Sequence, residues 1–326
     1  MLNNKIKMHS SSKQLLNSCL LSTCLMATIF AMTQTQAGWF RDRLEKRMEQ
    51  RQSPSQASHS ADITEQQIMV DGIERNYQVY NPFPKRKDLP VVIALHGGGG
   101  NATQMMKRWQ DEAKQQGFIV VAPQGVGRSE RVGTWNAIGC CGEAVQQQVN
   151  DVKFIQMMLT KLKNQVSIDS KKVYAVGFSN GGMLTHQLAI QMGNQLAGVA
   201  VVSGALFGNE PQTRTAVPIM IIHGLKDDVV AFDGGMSPTQ FVAKAQRQPS
   251  KPTPYSVDYW LRANQCQSSI TRPSQDNIIV QSGQHCKADV MFYKLVNGQH
   301  KWPTLDSSDE KLDATRTIWN FFNQRR

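Results

Sequence analysis

The sequence has no internal repeat, no cysteine–histidine spacing of the kind that holds zinc, and no stretch where lysines or arginines interleave with aromatic residues. Those absences exclude a solenoid, a structural zinc module and a nucleic-acid groove. Long apolar runs are scarce as well. The one candidate, Leu15 to Met32, is diluted by Asn17, Ser18, Ser22 and Thr23, too polar a mixture for a stable membrane span. Lys5, Lys7 and Lys13 precede it without an acidic residue, and Thr35-Gln36-Ala37 follows it as a small-residue cleavage site. That order is the pattern of an export signal, so residues 1–37 are expected to be removed and the protein to be secreted or periplasmic. A retained anchor, or lipidation at Cys19 or Cys24, is the competing reading. Loss of three lysines takes the formal charge from +11 to +8, a basic balance that suits anionic cell-surface polymers.

Cysteine is scarce too. Six residues fall to four once the leader is gone: Cys140, Cys141, Cys266 and Cys286. An even number in an exported chain points to disulfides. A Cys266–Cys286 bridge closes a modest loop and contributes about 3 kcal/mol in the loop-entropy account. Cys140 and Cys141 are adjacent, and their Cα atoms, about 3.8 Å apart across a trans peptide, sit closer than an unstrained disulfide prefers. Their state stays open.

Strands and helices then alternate along the chain. Residues 38–61 read as a basic, polar linker and 62–326 as one folded domain. Asp71-Gly72 between short apolar runs signals a hairpin. Val91 to Leu95, Phe118 to Ala122, Val173 to Gly177, Leu196 to Val202 and Pro218 to Ile222 are short, continuous and apolar, as buried parallel strands are. Helical spacing runs over 103–116, 149–162 and 257–264, Asp289 to Leu295 is a last strand, and Ser307 or Ser308 can cap a final helix through Phe322. The pattern predicts an α/β fold with a mostly parallel, doubly wound sheet in a single domain.

The strand Val173 to Gly177 leads into Gly177-Phe178-Ser179-Asn180-Gly181 and then a helix. Strand, G-x-S-x-G, helix is the context of a nucleophile elbow, where small flanking residues let the two elements pass closely. A serine nucleophile needs a base, and the base needs a carboxylate to orient it. Asp227 follows the strand that ends in His223-Gly224, with Asp228 as its competitor. His300 lies in the loop after the last strand, whereas His96 and His223 are placed to brace turns, and His186 to pack in the helix behind the serine. The run His96-Gly97-Gly98-Gly99-Gly100 can offer a backbone N–H from Gly97 or Gly98, and Asn180 a second, to an oxyanion. It lacks the lysine and serine of a phosphate-binding loop.

Several segments carry a more specific likeness: LHGGGG, APQG, TWNAIGCCG, VNDVKFI, KVYAVGFSNGGML, IHGLKDDVV, YWLRANQC, NGQHKWP and LDATRTIWNFF. Together they resemble secreted α/β-hydrolases of the polyhydroxybutyrate depolymerase and feruloyl esterase group, similar to family 1 carbohydrate esterases. The resemblance runs from about Ile68 to Phe322. It implies Ser179 as nucleophile, Asp227 as orienting acid and His300 as base, and the N–H groups of Gly97 and Asn180 are expected to bind the oxyanion beside them. It also implies Trp135 and Trp302 beside the substrate. The expectation is thus a secreted serine esterase acting on feruloyl-type or short hydroxyacyl esters through an acyl-enzyme. It needs no metal or organic cofactor, has a small or oligomeric ester as its partner, and binds no nucleic acid. A peptidase or thioesterase on the same triad, or an inactive secreted binding protein, is the alternative. Soluble or oligomeric esters are expected to be cleaved better than solid polyester, because the chain ends four residues after the final helix, without room for a separate polymer-binding domain.

Overall fold

The computed structural model describes residues 63–129, 131–274, 276–306 and 310–324, within the unit Ala61–Arg326. The expected leader and linker, with Cys19 and Cys24, lie outside the described residues, as do Ser307 and Ser308.

Twelve strands and seven α-helices follow one another in the described chain. The strands are β1 (Ile63–Val70), β2 (Ile73–Tyr80), β3 (Leu89–Leu95), β4 (Ile119–Pro123), β5 (Val126–Ser129), β6 (Val132–Thr134), β7 (Ile168–Phe178), β8 (Gly198–Val202), β9 (Ile219–Gly224), β10 (Ser268–Pro273), β11 (Ile278–Gln284) and β12 (Val290–Leu295). The helices are α1 (Ala102–Gln116), α2 (Gly142–Gln146), α3 (Asp151–Gln165), α4 (Asn180–Met192), α5 (Gln240–Ala245), α6 (Thr253–Ala263) and α7 (Ala314–Asn323). Ten strands form one sheet in the order β1-β2-β4-β3-β7-β8-β9-β12-β11-β10, and β5 and β6 form a separate hairpin.

The middle of the large sheet is parallel. β4, β3, β7, β8, β9 and β12 pair in one direction, with Leu95 opposite Gly177, Gly177 opposite Val201, and Gly224 opposite Leu295. Their carboxyl ends therefore line up along one edge. Helices cover both faces, as such strands require. Phe154 and Met158 of α3, Leu184 and Leu188 of α4, and Trp260 of α6 build one apolar layer. Met106 and Trp109 of α1, with Ile318, Trp319 and Phe322 of α7, build the other. No helix among the described residues is long and apolar enough to cross a membrane.

The expected α/β architecture is present, with differences at its margins. The Asp71-Gly72 turn has φ of 50° and 79°, the two positive values that a tight hairpin turn between β1 and β2 demands. Helix α3 starts at Asp151 rather than Val149, because Asn150 accepts the Lys153 N–H and caps it. The final helix starts later than a cap at Ser307 or Ser308 allows: Asp313 accepts the Arg316 N–H, and α7 begins at Ala314. Four strands are not marked in the sequence, β5 and β6 of the small hairpin and β10 and β11 of the large sheet. β10 and β11 extend the sheet in antiparallel pairing, yet every residue of β10 is exposed, so no alternation of polar and apolar residues marks it.

Candidate active site

The sequence around the serine forces a tight turn. Ser179 sits between β7 and α4 at φ 54° and ψ −122°, a conformation that L-residues rarely adopt and that the surrounding packing must hold. The flanking glycines are a steric necessity. A Cβ on Gly177 would collide with the Gly181 carbonyl, and one on Gly181 would meet the Leu95 carbonyl oxygen at 2.6 Å. Helix α4 thus starts almost in contact with the end of β3, and its first N–H groups have no intrahelical partner.

Ser179, His300 and Asp227 arrive from the ends of β7, β12 and β9 and meet in one hydrogen-bonded line. His300 Nε2 lies 2.9 Å from Ser179 Oγ, and His300 Nδ1 lies 2.9 and 2.8 Å from the two Asp227 carboxylate oxygens. The carboxylate also accepts the Val229 and Val230 N–H groups at 3.0 and 2.8 Å, which anchors it on its own turn. Burial pushes the Asp227 carboxyl up, but the hydrogen bond and charge of His300, with His223 and the Val229 N–H, outweigh it and hold it below its ordinary value. Asp227 is therefore an anion facing Nδ1. With Nδ1–H donated to that anion, Nε2 is the nitrogen free to accept a proton from the serine. The neighbouring Asp228 is exposed.

His223 stands behind the carboxylate. Its Nε2–H donates to the Val230 carbonyl at 2.8 Å and lies 3.5 Å from Asp227 Oδ2. Complete burial pushes its pKa down, so the contact joins a neutral ring to an anion and is no ion pair. His186 accepts the Trp260 Nε1–H at 3.0 Å, inside the helix layer, and burial lowers it to about 3. His285 is exposed and precedes β12, whereas His300 follows it.

On the other side of the serine lies the glycine run. A Cβ on Gly97 would stand 3.4 Å from Ser179 Cβ, and one on Gly98 3.5 Å from Asn180 Cβ. Neither Gly97 nor Gly98 donates a backbone hydrogen bond to another described residue. Asn180 is the first residue of α4, and its side chain is tied to Trp135: Oδ1 accepts the Trp135 N–H at 2.7 Å and Nδ2 donates to the Trp135 carbonyl at 3.0 Å.

The two tryptophans part company. Trp135 is 0% exposed, so the expectation that it faces substrate is not met by its position; its indole is part of the wall behind the glycine run. Its place there depends on how the loop 135–141 folds back, which no local pattern encodes. Trp302, itself buried at 5% exposure, instead borders an open cleft of about 780 Å³ that begins at His300 and Phe178 and reaches Arg108 and Lys301. The Arg108 guanidinium lies 4.8 Å from the Trp302 ring centroid. Phe178, the variable residue of the G-x-S-x-G, was not singled out from sequence. It packs 4.9 Å from His300, centroid to centroid, and its position before the serine is the signal that could have found it.

Away from the line, Cys266 and Cys286 are disulfide-bonded to each other, and Cys140 and Cys141 are paired across the bond between them. No group of three or more metal-ligating side chains occurs among the described residues.

Comparison with known proteins bears on this geometry. The sequence profile of the dienelactone hydrolase family matches residues 78–249, more than half of the chain. The chain is 31% identical over 163 residues to a bifunctional acetylxylan esterase/xylanase of Neocallimastix patriciarum, covering 49% of this chain and 22% of that protein. It is 26% identical over 270 residues to a protein of Aspergillus niger named "Probable feruloyl esterase C", covering 78% of this chain and 84% of the relative. The chain thus spans about a fifth of the bifunctional relative's length. Among solved structures, an acetyl xylan esterase from Aspergillus awamori superposes with a TM-score of 0.53 at 15% identity, over 80% of this chain and 99% of that one, a likeness of fold.

Proposed function

Because the chain belongs to the dienelactone hydrolase family, we propose that it is a serine hydrolase of carboxylic esters, with Ser179 as nucleophile, His300 as general base and Asp227 as its orienting carboxylate. The observation that carries this reading is the unbroken line of 2.8–2.9 Å contacts from carboxylate to imidazole to hydroxyl, ending at a strained strand-to-helix turn.

The chemistry follows from the contacts. Ser179 Oγ attacks the ester carbonyl carbon while His300 Nε2 takes its proton, and Asp227 stabilises the imidazolium that forms. The carbonyl oxygen becomes an oxyanion, which the N–H groups of Gly97 and Asn180 receive. The tetrahedral species collapses, and the alcohol leaves with the proton from His300. Water then gives a proton to the same nitrogen, attacks the acyl carbon and releases the acid, and Ser179 Oγ recovers its proton. Every proton moves through one nitrogen.

The cleft beside His300 has room for an ester with a flat or short acyl group, with Phe178 against His300 and charged side chains, among them Arg108, Lys301 and Arg316, in its lining. Relatives named for feruloyl and acetylxylan ester cleavage support the same substrate class. An extracytoplasmic site of action agrees with the Cys266–Cys286 disulfide and with the export-signal pattern of residues 1–37.

The test is hydrolysis of 4-nitrophenyl acetate, methyl ferulate and hydroxybutyrate oligomers by the parent protein and by Ser179→Ala. We expect the parent to cleave at least one of them and the variant to lose on the order of 10⁴-fold or more in kcat. Equal turnover by both proteins removes Ser179 from its assigned role.

A further inference from the structure

Trp135 is hydrogen-bonded to the neighbours of both N–H groups assigned to the oxyanion, the His96 carbonyl and the Asn180 side-chain amide, although its ring is walled off from solvent. Its indole Nε1–H donates to the His96 carbonyl at 2.8 Å. That carbonyl belongs to the same peptide unit as the Gly97 N–H, and in a planar trans peptide the two point in opposite directions. Fixing the carbonyl therefore aims the N–H. Without a side chain, Gly97 has wide freedom about φ and cannot hold that direction by itself. The backbone of Trp135 grips the other donor's residue through the paired bonds to the Asn180 amide, at 2.7 and 3.0 Å. A single buried residue thus spans the gap between the loop after β3 and the start of α4.

His96 completes the arrangement from below. Its Nε2 accepts the Gly125 N–H at 2.9 Å, so Nδ1 carries the proton and donates to the Gly97 carbonyl at 2.8 Å. Its ring lies 4.7 Å from that of Trp135, centroid to centroid. Gly97 is consequently held through the carbonyl on each side of its own N–H, once by Trp135 and once by His96, while that N–H donates to no described residue. A backbone donor braced on both flanks and left unpaired is oriented before substrate arrives. Preorganisation of this kind is what gives an oxyanion donor its value.

We propose that Trp135 is a positioning residue of the oxyanion hole, whose indole N–H aims the Gly97 N–H and whose backbone holds the Asn180 side chain, fixing the start of α4 against the glycine run. This rests on the esterase reading of the site. It replaces a substrate-contact role for Trp135 with one exerted through the backbone of two other residues.

Two replacements separate the N–H from the ring. Trp135→Phe removes the donor and some volume. Incorporation of β-(3-benzothienyl)alanine at position 135 replaces the N–H with sulfur and keeps the shape. Both are compared with the parent and with Ser179→Ala on 4-nitrophenyl acetate and methyl ferulate, alongside thermal melting, inhibition by an aryl trifluoromethyl ketone, and amide exchange at Gly97 followed by NMR. The ketone forms a hemiketal whose oxyanion occupies the hole, so its affinity reports on the donors. We expect kcat to fall about tenfold, less than the 10²–10³-fold loss typical of deleting a donor outright, with KM within about twofold. Ketone affinity should fall by a similar factor, and Gly97 exchange should quicken. A melted Trp135→Phe leaves the decision to the isosteric replacement. Parent-like kcat, ketone affinity and Gly97 exchange in a folded isosteric variant overturn the proposal. Gly97 exchange is read whether or not an ester is cleaved. A parent protein inert on both esters, or as active as Ser179→Ala, would instead count against the esterase reading.

Discussion

The two sides of Ser179 are built on different principles. On one side, His300 and Asp227 are side chains from two loops, 12% and 0% exposed at their side chains, and their work is to gain, lose or balance charge. On the other, the groups aimed at the reacting oxygen are backbone N–H groups, and the side chains around them, Trp135 and His96, are sealed from solvent at 0% and 1% exposure. His300, which must change protonation, keeps a path to substrate and water, whereas Asp227, which only balances its charge, is as sealed as Trp135. A side that must only hold still is buried in full, because burial removes rotamer freedom and every displaced hydrogen bond there would go unreplaced.

The acid–base side should be the easier to break. Asp227→Asn keeps the shape but lets the amide donate toward Nδ1, which favours the wrong imidazole tautomer. We expect a loss on the order of 10⁴-fold in kcat, as in other triads. Asp228→Asn, exposed and without contact to His300, should leave kcat close to the parent's. Steady-state kinetics on the two variants decide it, and a reversed ranking would move the acid by one residue.

A smaller effect should appear in stability against pH, where the two sides share a device. His96 on the oxyanion side is held at about 4 by burial, and His186, behind the serine, at about 3. Both are neutral in the folded protein, whereas an unfolded histidine takes up a proton near pH 6.5. Their folded values are depressed, so the unfolded state binds more protons as pH falls from 6.5 toward 4. Stability is thus held above that window and lost within it, by about 1.4 kcal/mol per pH unit for each ring. Urea midpoints measured at pH 7, 6 and 5 should fall in that order. A flat series would mean that neither imidazole is kept neutral by the fold.

The smallest change in turnover should come from a region that belongs to neither side. Replacing Cys266 and Cys286 together by serine removes a bridge that closes the 20-residue segment holding the β10–β11 hairpin. About 3 kcal/mol of stability should go with it, and kcat should stay near the parent's. Denaturation and kinetics on the same preparation test both halves, and a large fall in kcat in the folded variant would tie the hairpin to the site.

Much of the frame was legible before any coordinates. The parallel strands are covered on both faces, so they appear in the sequence as unbroken apolar runs: IVVAP, GVAVV and IMIIHG are buried at every position. The glycines around Ser179 stand out because nothing larger fits between β7 and α4. His300 could be chosen among seven histidines from its place after the last strand, and the structure brings it to Ser179 and Asp227. The β10–β11 hairpin could not be read in the same way, since a strand exposed on both faces has no hydrophobic constraint to print a period of two.

Trp135 shows where such reading stops. A tryptophan near an expected site suits a ligand platform and a core wedge equally well, because burial and cleft lining both select large apolar rings. The sequence by itself determined the order of the buried parallel strands, the elbow at Ser179 and the residue types that can carry a proton, since each follows from local sterics or from continuous burial. Only the tertiary structure decided which ring borders the cleft and which is walled in. It also decided that Asp227 rather than Asp228 meets His300, and that the His96 carbonyl finds an indole N–H from a loop 39 residues away. Those outcomes depend on how loops from different strand ends pack against one another, and no spacing along the chain encodes that.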